Sequence, residues 1–78
     1  MTRRQKQLLD LIANGLAREG RCPTYDELRR SMALASRASI SQLVMALRLG
    51  GLLTITKGER RNVLTLTPDA WELYRHVA

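Results

Sequence analysis

Seventy-eight residues, 45% of them hydrophobic, are enough for one small folded domain and leave no room for a second core. Thirteen Lys and Arg against seven Asp and Glu give a formal net charge of +6, which points to a polyanionic partner: nucleic acid or an anionic membrane surface. A single cysteine (Cys22), a single histidine (His76) and no apolar run near ~20 residues exclude a disulfide framework, a Cys- or His-based metal site and a membrane span.

The N-terminal run Met1–Ala17 has the charged-then-apolar order of a signal peptide, but Asp10 and Asn14 interrupt its apolar part. Its leucines instead recur at helical spacing: Leu8, Leu9, Leu11, Ile12 and Leu16 predict an amphipathic first helix over about 3–19. Thr2 and Gln5 have the spacing of a capping box in front of it, and Gly20 followed by Pro23 marks its end. A second capping box, Thr24 to Glu27, starts a short second helix over about 25–32, with Tyr25, Leu28 and Met32 on one face. Ala33-Leu34-Ala35 forms the turn and Ser36 is the next N-cap candidate.

A third helix is expected over about 37–49, where Ile40, Leu43, Val44 and Leu47 make an i, i+3, i+4, i+7 core stripe. Gly50-Gly51 ends it. The alternating stretches 52–56 and 62–66, joined through Lys57 to Arg61, read as a β-hairpin. Thr67-Pro68-Asp69 then supplies N-cap, N1 and N2 of a last helix over 68–77. The expected fold is mostly α with a small β-hairpin. It is a single winged helix-turn-helix domain over 1–78, with the helix-turn-helix at about 24–49, the wing at 52–66 and a C-terminal helix at 68–77.

The charge is concentrated. Between Leu28 and Arg61 stand Arg29, Arg30, Arg37, Arg48, Lys57, Arg60 and Arg61 against Glu59 alone, so this segment carries the whole surplus of +6. A DNA-binding protein needs its phosphate partners there. At ~100° per residue, Ala38, Gln42, Met45 and Leu49 lie opposite the core stripe of the third helix, flanked by Ser39, Ser41 and Arg48. Ala38, Ser39, Ser41 and Gln42 are the expected base readers: Gln pairs with adenine in bidentate fashion, Ser is undiscriminating, and Ala meets a thymine methyl. Thr24, Ser36, Arg37, Arg48, Lys57, Arg60 and Arg61 are the expected contacts to the DNA backbone. Met45 and Leu49 extend this face with apolar groups that pack under the hairpin, touch sugar carbons or form part of a protein interface.

Cys22-Pro23-Thr24-Tyr25-Asp26-Glu27-Leu28 resembles the PPTRxEI opening of the second helix in the LexA family of SOS-response repressors. Met45 to Ile55 resembles that family's KALxRKGxIEI helix-to-wing junction, and Leu8 to Ile12 its first helix, in unbroken register from about Pro23 to Leu66. The resemblance implies a winged helix-turn-helix whose third helix reads the major groove, with base-reading positions at Ser36, Ala38, Ser39, Ser41 and Gln42. Ala33 stands where the family has a turn glycine, so the turn either avoids a left-handed residue or costs ~1 kcal/mol. Met45 and Leu49 replace basic residues of the family. The family's self-cleaving domain has no counterpart in the 78 residues, and neither Lys6 nor Lys57 stands in a segment resembling its Ser-Lys dyad, so no autoproteolysis is expected.

The function expected is therefore sequence-specific binding of double-stranded DNA by a bacterial or phage transcription regulator, a repressor, in the cytoplasm. No enzymatic activity, metal, cofactor, membrane partner or small-molecule effector is expected. A homodimer is expected through the last helix, anchored by Trp71 and Tyr74, because one helix-turn-helix reads only a half-site. Two alternatives keep the fold: an adaptor or anti-repressor that binds protein through Met45, Leu49 and the last helix, and a non-specific nucleic-acid binder.

Overall fold

The computed structural model describes residues 1–58 and 62–77. Four helices and one hairpin follow in the order α1 (Arg3–Glu19), α2 (Tyr25–Ser31), α3 (Arg37–Leu49), β1 (Leu53–Lys57), β2 (Asn62–Leu66) and α4 (Pro68–Val77). The boundaries follow from local chemistry. In both capping boxes the threonine hydroxyl accepts the N3 amide and the N3 side chain accepts the threonine amide, Thr2 with Gln5 and Thr24 with Glu27. Thr67 caps α4: its hydroxyl accepts the Ala70 amide at 3.3 Å and donates to the Gly51 carbonyl at 2.9 Å, tying the last helix to the end of α3.

The C-terminal ends of α2 and α3 share one solution. After α3, the Leu52 amide donates back to Leu47 and the Gly51 amide to Arg48, with Gly51 left-handed at φ 78°. After α2, the Leu34 amide donates to Arg29 and the Ala33 amide to Arg30, and here the left-handed residue is Ala33 at φ 55°. The turn of the helix-turn-helix therefore keeps the geometry of a glycine-terminated helix without the glycine. Because Leu52 is used in closing α3, the first strand starts at Leu53, one residue later than its alternation suggests.

β1 and β2 pair antiparallel, Leu53 opposite Leu66 and Ile55 opposite Leu64, so one face of the hairpin supplies Leu53, Leu64 and Leu66 to the core. Thr54 and Thr65 lie opposite each other on the outer face with their hydroxyls hydrogen-bonded. The remaining core is Leu8, Leu9, Ile12 and Ala13 of α1, Leu28 and Met32 at α2, Ile40, Val44 and Leu47 of α3, and Ala70 of α4. α3 sits at the centre, packed against α1, α2 and β1, while α4 closes over α1 and β2. The architecture is the expected winged helix-turn-helix.

Gly15 positions the loop that leads into α2. A Cβ there would stand 2.7 Å from Pro23 Cδ and 2.9 Å from the Arg21 carbonyl oxygen, so only the missing side chain lets the 20–24 segment lie against α1.

Candidate nucleic-acid interface

Burying Ile40, Val44 and Leu47 turns the opposite face of α3 to solvent. Ala38, Ser41, Gln42, Met45, Arg48 and Leu49 are all exposed on it, and Arg37 stands exposed at its start. Of the four expected base readers, Ala38, Ser41 and Gln42 therefore share one open surface. Ser39 lies at its edge, half-buried, with its hydroxyl 3.3 Å from that of Ser36.

Ser36 occupies the N-cap position of α3 without capping it: no side-chain hydrogen bond reaches the first-turn amides. This corrects the expectation of a closed cap. Since α1, α2 and α4 all begin with a threonine whose hydroxyl is bonded to a first-turn amide, α3 is the exception. The first-turn N–H groups of α3 have no intrahelical acceptor and lie at the positive end of the helix dipole, which suits an anion. Thr24, the other expected contact at a helix start, has its hydroxyl oxygen engaged by the Glu27 amide at 3.1 Å, leaving its proton to donate outward. Burial pushes the Tyr25 phenol above its ordinary range, so it remains a neutral donor.

The arginines divide into two groups. Arg29 donates to the Leu34 carbonyl at 3.4 Å, and Arg4 to the Met32 carbonyl at 2.9 Å, so both bind the turn between α2 and α3. Arg21 pairs with Glu27 at 3.1 Å, and that hydrogen bond, with the Thr24 amide, holds the Glu27 carboxyl down to about 2. Arg30, Arg37 and Arg48 are exposed, Arg30 and Arg48 turned to solvent and Arg37 beside the Asp26 carboxylate. Counting Arg29 into the phosphate-binding surplus, as charge alone suggests, overstates it: its guanidinium serves the turn.

α3, the start of α2 and β2 border an open groove of about 890 Å³, with Thr24, Asp26, Arg37, Ser41 and Thr65 along its polar walls. Asp26 takes no part in the capping box of α2. In the structure Glu27 caps α2, and Asp26 Oδ1 lies 3.6 Å from Arg37 Nε and 3.8 Å from Arg29 Nε. The i, i+3 spacing of Asp26 and Arg29 was visible in the sequence, whereas the Arg37 contact depends on how α2 packs on α3.

On the wing, the Lys57 backbone ends β1, while Arg60 and Arg61 lie outside the described residues. Met45 and Leu49 do not pack under the hairpin: they are 45% and 81% exposed, because α3 meets β1 through its opposite face. In α4, Trp71 and Tyr74 are half-buried and meet edge to face, with ring centroids 6.0 Å apart. The Tyr74 hydroxyl donates to Asn14 Oδ1 at 3.2 Å, so both aromatic residues fasten α4 to its own domain, and among the described side chains of this helix Leu73 is the exposed large apolar one. Among the described residues no group of three or more His, Cys, Asp or Glu can hold a metal ion, and no helix is long and apolar enough to cross a membrane.

The profile of the LexA DNA binding domain family matches residues 1–62. The LexA repressor of Cereibacter sphaeroides is 33% identical over 73 residues, covering 92% of this chain and 32% of the repressor. That of Bordetella pertussis is 31% identical over 70 residues, covering 90% and 32%, and that of Gluconobacter oxydans 40% identical over 53 residues, covering 68% and 22%. The chain thus spans about a third of the length of these relatives or less. Among solved structures, Bordetella bronchiseptica BpsR, a protein whose DNA binding is regulated by 6-hydroxynicotinic acid, matches all of this chain and 53% of its own with a TM-score of 0.74. At 20% identity that likeness supports the fold alone. With the matched region running from α1 to the start of β2, the chain belongs to the LexA DNA-binding domain family.

Proposed function

We propose that the chain is a sequence-specific binder of double-stranded DNA that regulates transcription, as a repressor, with α3 in the major groove and the wing on the phosphate backbone or in the minor groove. The observation that carries this reading is the state of α3. It presents Ala38, Ser41 and Gln42 on one open face, with Arg37 and Arg48 beside them and an N-terminus that no side chain caps. Phosphates hold such a helix in register while the polar side chains meet base edges. A DNA phosphate, docked against the first-turn amides, also satisfies the donors that Ser36 leaves open. The chemistry assigned to the chain is binding; no catalytic role is proposed for Cys22 or His76.

Two copies on a two-fold site belong to the same reading, since a single helix-turn-helix covers one half-site. Leu73 and the uncovered part of Trp71 form the apolar surface of α4 on which the copies meet. Selection of bound duplexes from a random pool tests both parts. A consensus with inverted half-sites about one helical turn apart is expected. Failure to enrich any sequence overturns the specificity, and enrichment of a single half-site bound one-to-one overturns the dimer.

A protein-binding reading draws on one observation, the exposed pair Met45 and Leu49 extending the same face of α3. It predicts that Leu49→Lys abolishes partner binding and leaves DNA affinity unreduced. The DNA reading predicts instead that this lysine, placed beside Arg48, tightens DNA binding.

A further inference from the structure

Asp26 is the acidic residue in the wall of the groove beside α3, and the only one among the described lining residues. Thr24 and Glu27 close the capping box of α2 without it. Its Oδ1 atom stands between two guanidinium groups, 3.6 Å from Arg37 Nε and 3.8 Å from Arg29 Nε. Arg29 is held from its other side by the Leu34 carbonyl, whereas Arg37, at the first position of α3, has 68% of its side chain exposed.

We propose that Asp26 sets how strongly the domain holds non-cognate DNA, by keeping the Arg37 guanidinium on its own carboxylate instead of on a phosphate. This inference rests on the DNA-binding reading and deepens it. An exposed ion pair is weak and screened by salt, so a phosphate can displace it, but the carboxylate stays at the surface the phosphates approach. A duplex read in register fixes a phosphate against the start of α3, where it draws Arg37 off the carboxylate and offsets the Asp26 charge. A scrambled duplex fixes no phosphate there, so Arg37 stays on Asp26 and its contact is lost to non-cognate binding, which is almost wholly electrostatic. Asp26 thereby raises the ratio of specific to non-specific affinity at some expense in absolute affinity.

The test is a set of anisotropy titrations of wild type, Asp26→Asn, Asp26→Glu, Arg37→Ala and the Asp26→Asn/Arg37→Ala double variant. Each is titrated on the selected site and on a scrambled duplex across a range of salt, with thermal melts to establish that each is folded. Asp26→Asn is expected to tighten scrambled-duplex binding about three- to tenfold and to steepen its log–log salt slope by about 0.9. The selected site should gain less. Asp26→Glu, which keeps the charge, should keep the wild-type slope, and the Asp26→Asn gain should shrink at least by half when Arg37 is already alanine.

Equal tightening on both duplexes, an undiminished gain without Arg37, or weaker binding by Asp26→Asn overturns the inference and leaves the DNA-binding reading intact. A wild type that binds duplexes without preference removes the functional reading, while the scrambled-duplex cycle still decides whether Asp26 restrains Arg37. A wild type that binds no duplex overturns both.

Discussion

Replacing Ala33 by glycine should stabilise the protein. Ala33 closes α2 in the left-handed conformation, φ 55°, where an L-residue costs ~1–2 kcal/mol because Cβ crowds the following carbonyl. Glycine removes that cost, and the Ala33 methyl is exposed, so little packing goes with it. The opposing term is the extra freedom of glycine in the unfolded chain, ~0.4–1 kcal/mol. At the midpoints of these ranges the net gain is ~0.8 kcal/mol, which for a domain of this size raises Tm by about 3–6 °C. The bonds from Leu34 to Arg29 and from Ala33 to Arg30 are backbone bonds and survive the change, so the angle between α2 and α3, and with it DNA affinity, should be unaltered. Thermal and urea unfolding followed by circular dichroism measure the effect. Ala33→Val is the control: a β-branched residue tolerates positive φ poorly and should lower Tm. A glycine variant no more stable than wild type would show that the turn is not strained, and the reasoning fails there.

Gly15→Ala should destabilise by about 1–2 kcal/mol in urea unfolding, even though alanine is the better helix former by ~1 kcal/mol, because its Cβ meets Pro23 and the Arg21 carbonyl. A more stable variant would mean the loop does not lie against α1. Glu27 has a folded-state pKa of about 2 against about 4.3 unfolded, so its contribution is complete above the unfolded value and is lost as pH falls through about 2. The wild-type Tm should accordingly drop more steeply below about pH 4 than that of Glu27→Gln, and parallel curves would refute the Arg21–Thr24–Glu27 arrangement. Gln42→Ala should cost about 1–3 kcal/mol on the selected site and relax preference at one base pair, as read by competition with single-base variants. Unchanged preference at every position would remove Gln42 from the base-reading face.

Much of this was legible in the sequence because the chain punctuates itself. Two capping boxes, Thr67-Pro68 and Gly50-Gly51 place helix boundaries to within a residue, since each satisfies backbone groups by strictly local bonds. The outward face of α3 followed from the core stripe alone. What escaped depends on packing between elements. The helix pattern left open whether Met45 and Leu49 pack under the hairpin, because the face of α3 that meets β1 is set by how the wing folds back. Charge counting could not separate Arg29, which holds the turn, from Arg37, which is exposed but paired with Asp26, or from the exposed Arg48. Nor could it tell that Asp26 of α2 also reaches Arg37 of α3. Ser36 has the right side chain for a cap, but its hydroxyl lies 3.3 Å from that of Ser39 and bonds no first-turn amide of α3. Gly15 carried a readable hint, a glycine inside a helix followed eight residues later by a proline, but its purpose needed the loop in place.

The most direct measurement is the affinity of the wild-type protein for its selected duplex and for a scrambled duplex of the same length and composition, at ~0.15 M salt. A regulator that reads bases through α3 should prefer the selected duplex by ~10³-fold or more. Equal affinities that fall together as salt rises would show phosphate binding without readout, and would contradict the assignment of Ala38, Ser41 and Gln42 to the major groove.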